Sequence, residues 1–165
     1  MQHLLLEELH HRVKNTLATV IAITSQSLRT AASLDEGRAA VESRLVALGR
    51  SHDLLLQAHW TSAKLSDVIR SAIEPFDSDD VARFTVQDIP LNIDSKAVLP
   101  ITMSLNELCT NAVKYGALSK PTGRIEIAST TDETILKLTW TEKGGPPVKG
   151  AGSPQLWDPP RQPSG

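Results

Sequence analysis

The sequence predicts an α+β protein: a long helical hairpin, then a half that mixes short helices with a largely antiparallel sheet. Three observations carry that expectation. Leu6, Leu9, Val13, Leu17, Val20 and Leu28 recur at helical spacing and mark one apolar stripe, expected to be buried. Val41, Leu45, Leu48, His52 and Leu55 alternate in steps of three and four, the spacing of a bundle seam. Beyond residue 60 the pattern breaks into short apolar and β-rich runs divided by Pro, Gly and Asp.

The first helix is expected over residues 2–30. Ser33-Leu34-Asp35-Glu36 reads as a capping box that opens a second helix reaching about residue 58. The apolar faces of such a hairpin cannot both be buried by one partner helix. Pairing two hairpins into a four-helix bundle resolves this, so a homodimer is expected. His52, on the seam, reads as a packed core histidine. His59-Trp60-Thr61-Ser62 breaks the pattern, and a short helix over 65–73 closes at Pro75. Strands follow over about 83–87 and 91–93. Pro100 is taken to open a helix over 101–115 that Gly116 ends. Residues 124–129 and 134–140 read as a β-hairpin turning at Thr130-Thr131-Asp132-Glu133.

Composition narrows the function. Forty per cent hydrophobic and 22% charged residues describe a globular chain of 165 residues. A net charge of −2 with scattered basic residues argues against nucleic acid and against an anionic membrane surface as partners. No apolar run has the length of a bilayer span and no signal peptide opens the chain; with Cys109 the single cysteine, a cytoplasmic setting is expected. Residues 150–165 are expected to be irregular, since six of the ten prolines fall between Pro146 and the last residue.

Three stretches carry chemistry. In Glu8-Leu9-His10-His11-Arg12-Val13-Lys14-Asn15, helical phase separates the two histidines. At about 100° per residue His10 lies within roughly 50° of the apolar stripe, whereas His11 lies about 150° away. His10 is therefore the expected packing histidine, and His11 the one that meets solvent and a phosphoryl group. Further on, Glu107, Asn111 and Lys114 share a helix face at i, i+4 and i+7. A carboxylate, an amide oxygen and an ammonium suit a Mg²⁺-nucleotide, though a solvated face with ion pairs has the same spacing. Last, Thr139-Trp140-Thr141-Glu142-Lys143-Gly144-Gly145-Pro146 ends a strand with a carboxylate and turn glycines. That carboxylate can accept a hydrogen bond from an exocyclic amine such as adenine's.

Taken in order, these stretches resemble the sensor histidine kinases of two-component systems, and within them the HWE group, over about residues 2–149. Residues 8–18 match the acceptor motif, Arg44–Leu48 with Ser51–Leu55 the second dimerisation helix, Glu107–Ser119 the nucleotide-binding N box, and Trp140-Thr141-Glu142 with Gly144-Gly145-Pro146 the Trp-x-Glu motif. The resemblance implies a dimerisation and phosphotransfer hairpin over 1–60 and a GHKL-type (Bergerat) ATP-binding α/β sandwich over 61–149. It implies autophosphorylation of His11 by ATP and transfer to an aspartate of a response regulator. Asn111 would be the Mg²⁺ ligand, Glu107 a catalytic neighbour of metal and phosphate, and Lys114 a phosphate neighbour. Tyr115, Gly144 and Gly145 would line the nucleotide site, with Glu142 in the adenine-contacting place usually held by aspartate. Two departures stand out. Asn106 occupies the place of the histidine that the group carries before the N-box glutamate. The lid, G2 box and closing strands are expected to be missing, with only Lys149-Gly150-Ala151-Gly152-Ser153 hinting at a G2 box, and apolar surface near Ile125, Ile127, Ile135, Leu136 and Leu138 is expected to be exposed. A dimerising phosphotransfer scaffold without kinase activity, and a GHKL-fold ATPase or anti-sigma-type binding protein, are the alternatives.

Overall fold

The computed structural model describes residues 1–78, 81–87 and 90–147. The G2-box hint and the expected irregular tail lie outside the described residues. Two antiparallel helices come first, α1 (Gln2–Thr30) and α2 (Leu34–Gln57). Ser33 caps α2 as its sequence predicts, its Oγ accepting the Glu36 backbone N–H at 3.1 Å. The α2-facing side of α1 differs from the expectation. Arg12, Thr16, Thr19, Ile23 and Ser27 turn inward, while Leu6, Leu9, Val13, Leu17 and Leu28 stay at the surface of the single chain. Leu9 is 57% exposed and Leu17 also 57%, and His10, expected to pack, is exposed as well. By helical phase the inward face lies roughly 90° from the stripe. Small and polar side chains let α2 approach there, and the apolar stripe is left over.

A second unit packs beyond α2. The short strand β1 (Ser62–Lys64) pairs antiparallel with β3 (Asn92–Asp94), and between them run α3 (Leu65–Ile73) and β2 (Phe84–Gln87). Helix α4 (Ser95–Tyr115) follows, then the hairpin β4 (Arg124–Thr131) and β5 (Leu136–Lys143). The sheet order is β2-β4-β5, with β2 parallel to β4 and β4 antiparallel to β5. The sheet is therefore mixed, because α4 lies in the crossover from β2 to β4. Asp132 makes the hairpin turn: its carboxylate accepts the Thr134 and Ile135 N–H groups, which hold its pKa below the usual range.

Helix α4 begins earlier than Pro100 suggests. The Asp94 carboxylate caps the Lys96 N–H at 2.8 Å, and Pro100 stands six residues in, where it removes a single i→i−4 bond. Along β4, Ile125, Ile127 and Ser129 point inward and Glu126 and Thr130 outward, so one sheet face is apolar. That face packs on α3 and α4 through Val68, Ile69, Val98, Leu105 and Cys109. Ile125 is 0% exposed, so the core is covered at this point, contrary to expectation; of that group only Ile135 is at the surface. Among the described residues the architecture is α+β, with four α-helices and two small sheets.

Candidate functional site

Helix α4 gathers most of the chemistry. Val98, Thr102, Leu105, Asn106, Cys109 and Ala112 are its buried side, which leaves Glu107, Asn111 and Lys114 together on a face turned towards the helical hairpin. These three, with Tyr115, line one cleft of about 390 Å³. Its opposite wall comes from Ser27 and Thr30 of α1 and from Glu36, Ala40, Ser43 and Arg44 of α2. Helix spacing brought Glu107, Asn111 and Lys114 to light in the sequence, and Tyr115 came only with the N-box resemblance; nothing local announced the hairpin wall.

That wall makes specific bonds. Arg44 Nε donates to Glu107 Oε1 at 2.5 Å, and Arg44 Nη1 donates to Ser27 Oγ at 2.6 Å. The bond to Glu107 pushes the Arg44 guanidinium pKa up, and burial opposes it. Beside this pair, Asn106 Nδ2 donates to Ser43 Oγ at 3.2 Å. The asparagine thus uses its amide as a helix-to-helix tie. Glu107 is consequently engaged by a cation of the hairpin, while Asn111 and Lys114 face the cleft at exposed positions.

Glu142, Gly144 and Gly145 form a second group, which does not line that cleft. Glu142 sits opposite Ile125 at the end of β5, and its Oε1 accepts the Ala117 N–H at 3.2 Å, just past the C-terminus of α4. The chain is pressed tightly here. Gly144 takes φ +72°, and a Cβ on Gly145 would lie 2.9 Å from Ala117 Cα. A Cβ on Gly123 would overlap the Ala117 carbonyl. Arg83, which the sequence gave no reason to single out, donates to the carbonyls of Ala117, Lys120 and Gly123 and closes the loop. Cys109 lies beneath; burial, and then the Glu142 charge, push its thiol up to about 12.

His11 is exposed on α1, roughly 120° in helical phase from the face that packs α2. It stands 16 residues before Ser27 of the cleft wall, about 24 Å along the helix axis at 1.5 Å per residue. His52, read as a seam residue, is half-buried against the Trp60 ring at 5.4 Å.

Among the described residues no group of three or more His, Cys, Asp or Glu is placed to hold a metal ion. The oxygens of Asn111 and Glu107 still match a hard cation that takes its remaining ligands from phosphate and water, so the donor set fits Mg²⁺ bound together with a nucleotide. No helix is long and apolar enough to cross a membrane among the described residues.

Residues 8–89 match the family model described as HWE histidine kinase. Over 150 residues the chain is 34% identical to a protein of Brucella anthropi named blue-light-activated histidine kinase, covering 88% of this chain and 30% of that protein. Proteins of the same name from Brucella ovis and Brucella canis are 33% identical over 145 residues, covering 86% of this chain and 30% of theirs. The chain therefore spans less than a third of the length of these relatives. By this match and these relatives, the chain belongs to the HWE histidine kinase family.

Proposed function

We propose that this chain is the phosphoacceptor and ATP-handling part of a two-component histidine kinase, autophosphorylating His11 and passing the phosphoryl group to a response-regulator aspartate. Residues 1–60 serve as the dimerisation and phosphotransfer hairpin and 61–149 as a GHKL-like ATP-binding unit. Two such chains pair in the cytoplasm through the surface stripe of α1 as a four-helix bundle. The observation that carries this reading is the pairing of an exposed His11 on α1 with Glu107, Asn111 and Lys114 collected in one cleft.

The neutral His11 imidazole attacks the γ-phosphorus of ATP. A P–N bond forms, the P–O bond to ADP breaks, and the ring proton leaves to solvent. Lys114 contributes a cation for phosphate oxygens, and Glu142 an acceptor for the adenine amine. Asn111, with Glu107 beside it, would hold Mg²⁺, which supplies charge neutralisation across the phosphates. The protein's share is positioning and electrostatics. Because the cleft wall lies about 24 Å along α1 from His11, the transfer needs either a swing of the ATP-binding unit or delivery to the partner chain.

A second reading has one observation in its favour. The hairpin covers the N-box face and Arg44 occupies Glu107, the arrangement expected of a phosphotransfer scaffold that does not turn over ATP. Incubation with γ-labelled ATP and Mg²⁺ separates the two. The kinase reading predicts an acid-labile, base-stable label that His11→Gln removes; a chain labelled only by a phosphorylated regulator supports the scaffold.

A further inference from the structure

Arg83 stands just before β2, and its own backbone is fixed from two directions. Its N–H donates to Asp77 Oδ1 at 3.2 Å, and its carbonyl accepts the Ile125 N–H at 2.9 Å. Ile125 in turn lies opposite Glu142 in the β4–β5 pairing. Arg83 and Glu142 therefore sit on one line across the sheet, with β4 between them.

The Arg83 side chain closes a circuit with that line. Nε donates to the Gly123 carbonyl at 3.2 Å, and Nη2 reaches the Ala117 and Gly123 carbonyls, each at 3.1 Å, and that of Lys120. Ala117 and Gly123 are buried, so the carbonyls that converge there need a donor, and the fixed guanidinium fork serves three at once. A lysine ammonium, a compact charge on a flexible stem, has no such fork. Ala117 is the pivot. Its carbonyl accepts from Arg83, and its N–H donates to Glu142 Oε1 at 3.2 Å. Glu142 is exposed near the end of β5, where a carboxylate left to itself samples several rotamers. The fit around it is close: a Cβ on Gly116 would stand 2.5 Å from Glu142 Oε1, and one on Gly145 would stand 2.9 Å from the Ala117 nitrogen. The 116–123 turn is thus the platform on which Glu142 rests, and Arg83 grips that platform through its carbonyls.

We propose that Arg83 is a positioning residue for Glu142, holding Ala117 where its N–H aims the carboxylate at the exocyclic amine of adenine. The proposal rests on the reading of Glu142 as the adenine acceptor and adds the residue that makes this acceptor selective. With Oε1 anchored, the second oxygen is held in one direction. Adenine offers that oxygen an amine, whereas guanine presents a carbonyl oxygen at the same ring position and is repelled. A carboxylate released from Ala117 turns aside and loses the discrimination.

The test takes two readouts on the full chain. Amide hydrogen exchange at Ala117 needs no nucleotide, and calorimetric titration with Mg·ATP and with Mg·GTP gives their affinity ratio. Arg83→Met keeps much of the stem and removes the donors. It is expected to speed Ala117 exchange about fivefold and to lower the ATP-to-GTP ratio about fivefold, the scale of one hydrogen bond, with GTP affinity unchanged. Glu142→Gln is expected to lower the ratio as far, and adding Arg83→Met to it should change the ratio no further. Arg83→Lys, which lacks the fork, is expected to stay closer to the methionine variant than to wild type. Unchanged Ala117 exchange in a folded Arg83→Met chain overturns the proposal. So does a ratio that Glu142→Gln lowers and Arg83→Met leaves alone, and so does an equal fall in both affinities, which a general loosening of the fold produces. Should Arg83→Met fail to fold, a wild-type ratio in Arg83→Lys overturns it equally. A ratio that Glu142→Gln does not move counts against the adenine reading alone, and Ala117 exchange then decides the role of Arg83.

Discussion

Replacing Arg44 with methionine tests whether the hairpin restrains the proposed nucleotide site. Arg44 reaches Glu107 at 2.5 Å and Ser27 at 2.6 Å, and methionine keeps much of its length while removing charge and donors. A hydrogen bond between charged groups contributes about 1.5–3 kcal/mol when shielded from water. Here the Glu107 side chain is 41% exposed and that of Arg44 22%, so solvent screening reduces the contribution to about 1 kcal/mol. If nucleotide binding must release Glu107 from Arg44, removing the restraint tightens Mg·ATP binding by about fivefold, since 1.4 kcal/mol is tenfold. Titration with a fluorescent ATP analogue and Mg²⁺ measures this directly. Arg44→Lys keeps a cation and is expected to stay near the wild-type affinity. An Arg44→Met chain that is folded and binds no more tightly, or more weakly, refutes the reasoning; Arg44 would then aid nucleotide binding instead of competing with it.

Other predictions concern the frame that holds the site. Ile125→Ala empties a position with no solvent exposure and should cost about 3 kcal/mol in urea denaturation; a loss under about 1 kcal/mol would mean that the β4 core collapses freely around it. Gly123→Ala forces a methyl against the Ala117 carbonyl, so it should destabilise by about 1–3 kcal/mol and break the Glu142 to Ala117 bond; an unchanged denaturation midpoint contradicts the tight packing. Cys109, its thiol pushed up to about 12, stays neutral and buried at pH 8 and should resist iodoacetamide until urea is added. Rapid alkylation of the native chain at that pH would contradict the burial.

Much of this was legible in local pattern. The 3.6-residue spacing marked α1, Ser33 marked the start of α2, and apolar spacing with Pro75 bounded α3 at its observed ends. Glu107, Asn111 and Lys114 fell on one face because their spacing requires it. Local pattern misled at Pro100: proline is favoured in the first turn, yet the stronger signal was the Asp94 cap, which starts α4 five residues earlier. The apolar stripe of α1 was visible, but not which face α2 would choose, because Thr16, Thr19 and Ser27 make a close approach without an apolar signature. Long-range partners left no trace. Arg44 and Glu107 are 63 residues apart, and the parallel pairing of β2 with β4 spans some 40 residues. The turn at Trp60 looked like a mere break in the pattern, and its contact with Arg12, 48 residues away, had no local sign.

The central claim, that His11 accepts a phosphoryl group from ATP bound by this chain, is met most directly by one labelling experiment on three proteins. Wild type, His10→Gln and His11→Gln are incubated with γ-labelled ATP and Mg²⁺, then treated with acid or base. The account predicts acid-labile, base-stable label on wild type and His10→Gln and none on His11→Gln. Label that survives His11→Gln but is lost with His10→Gln would contradict it.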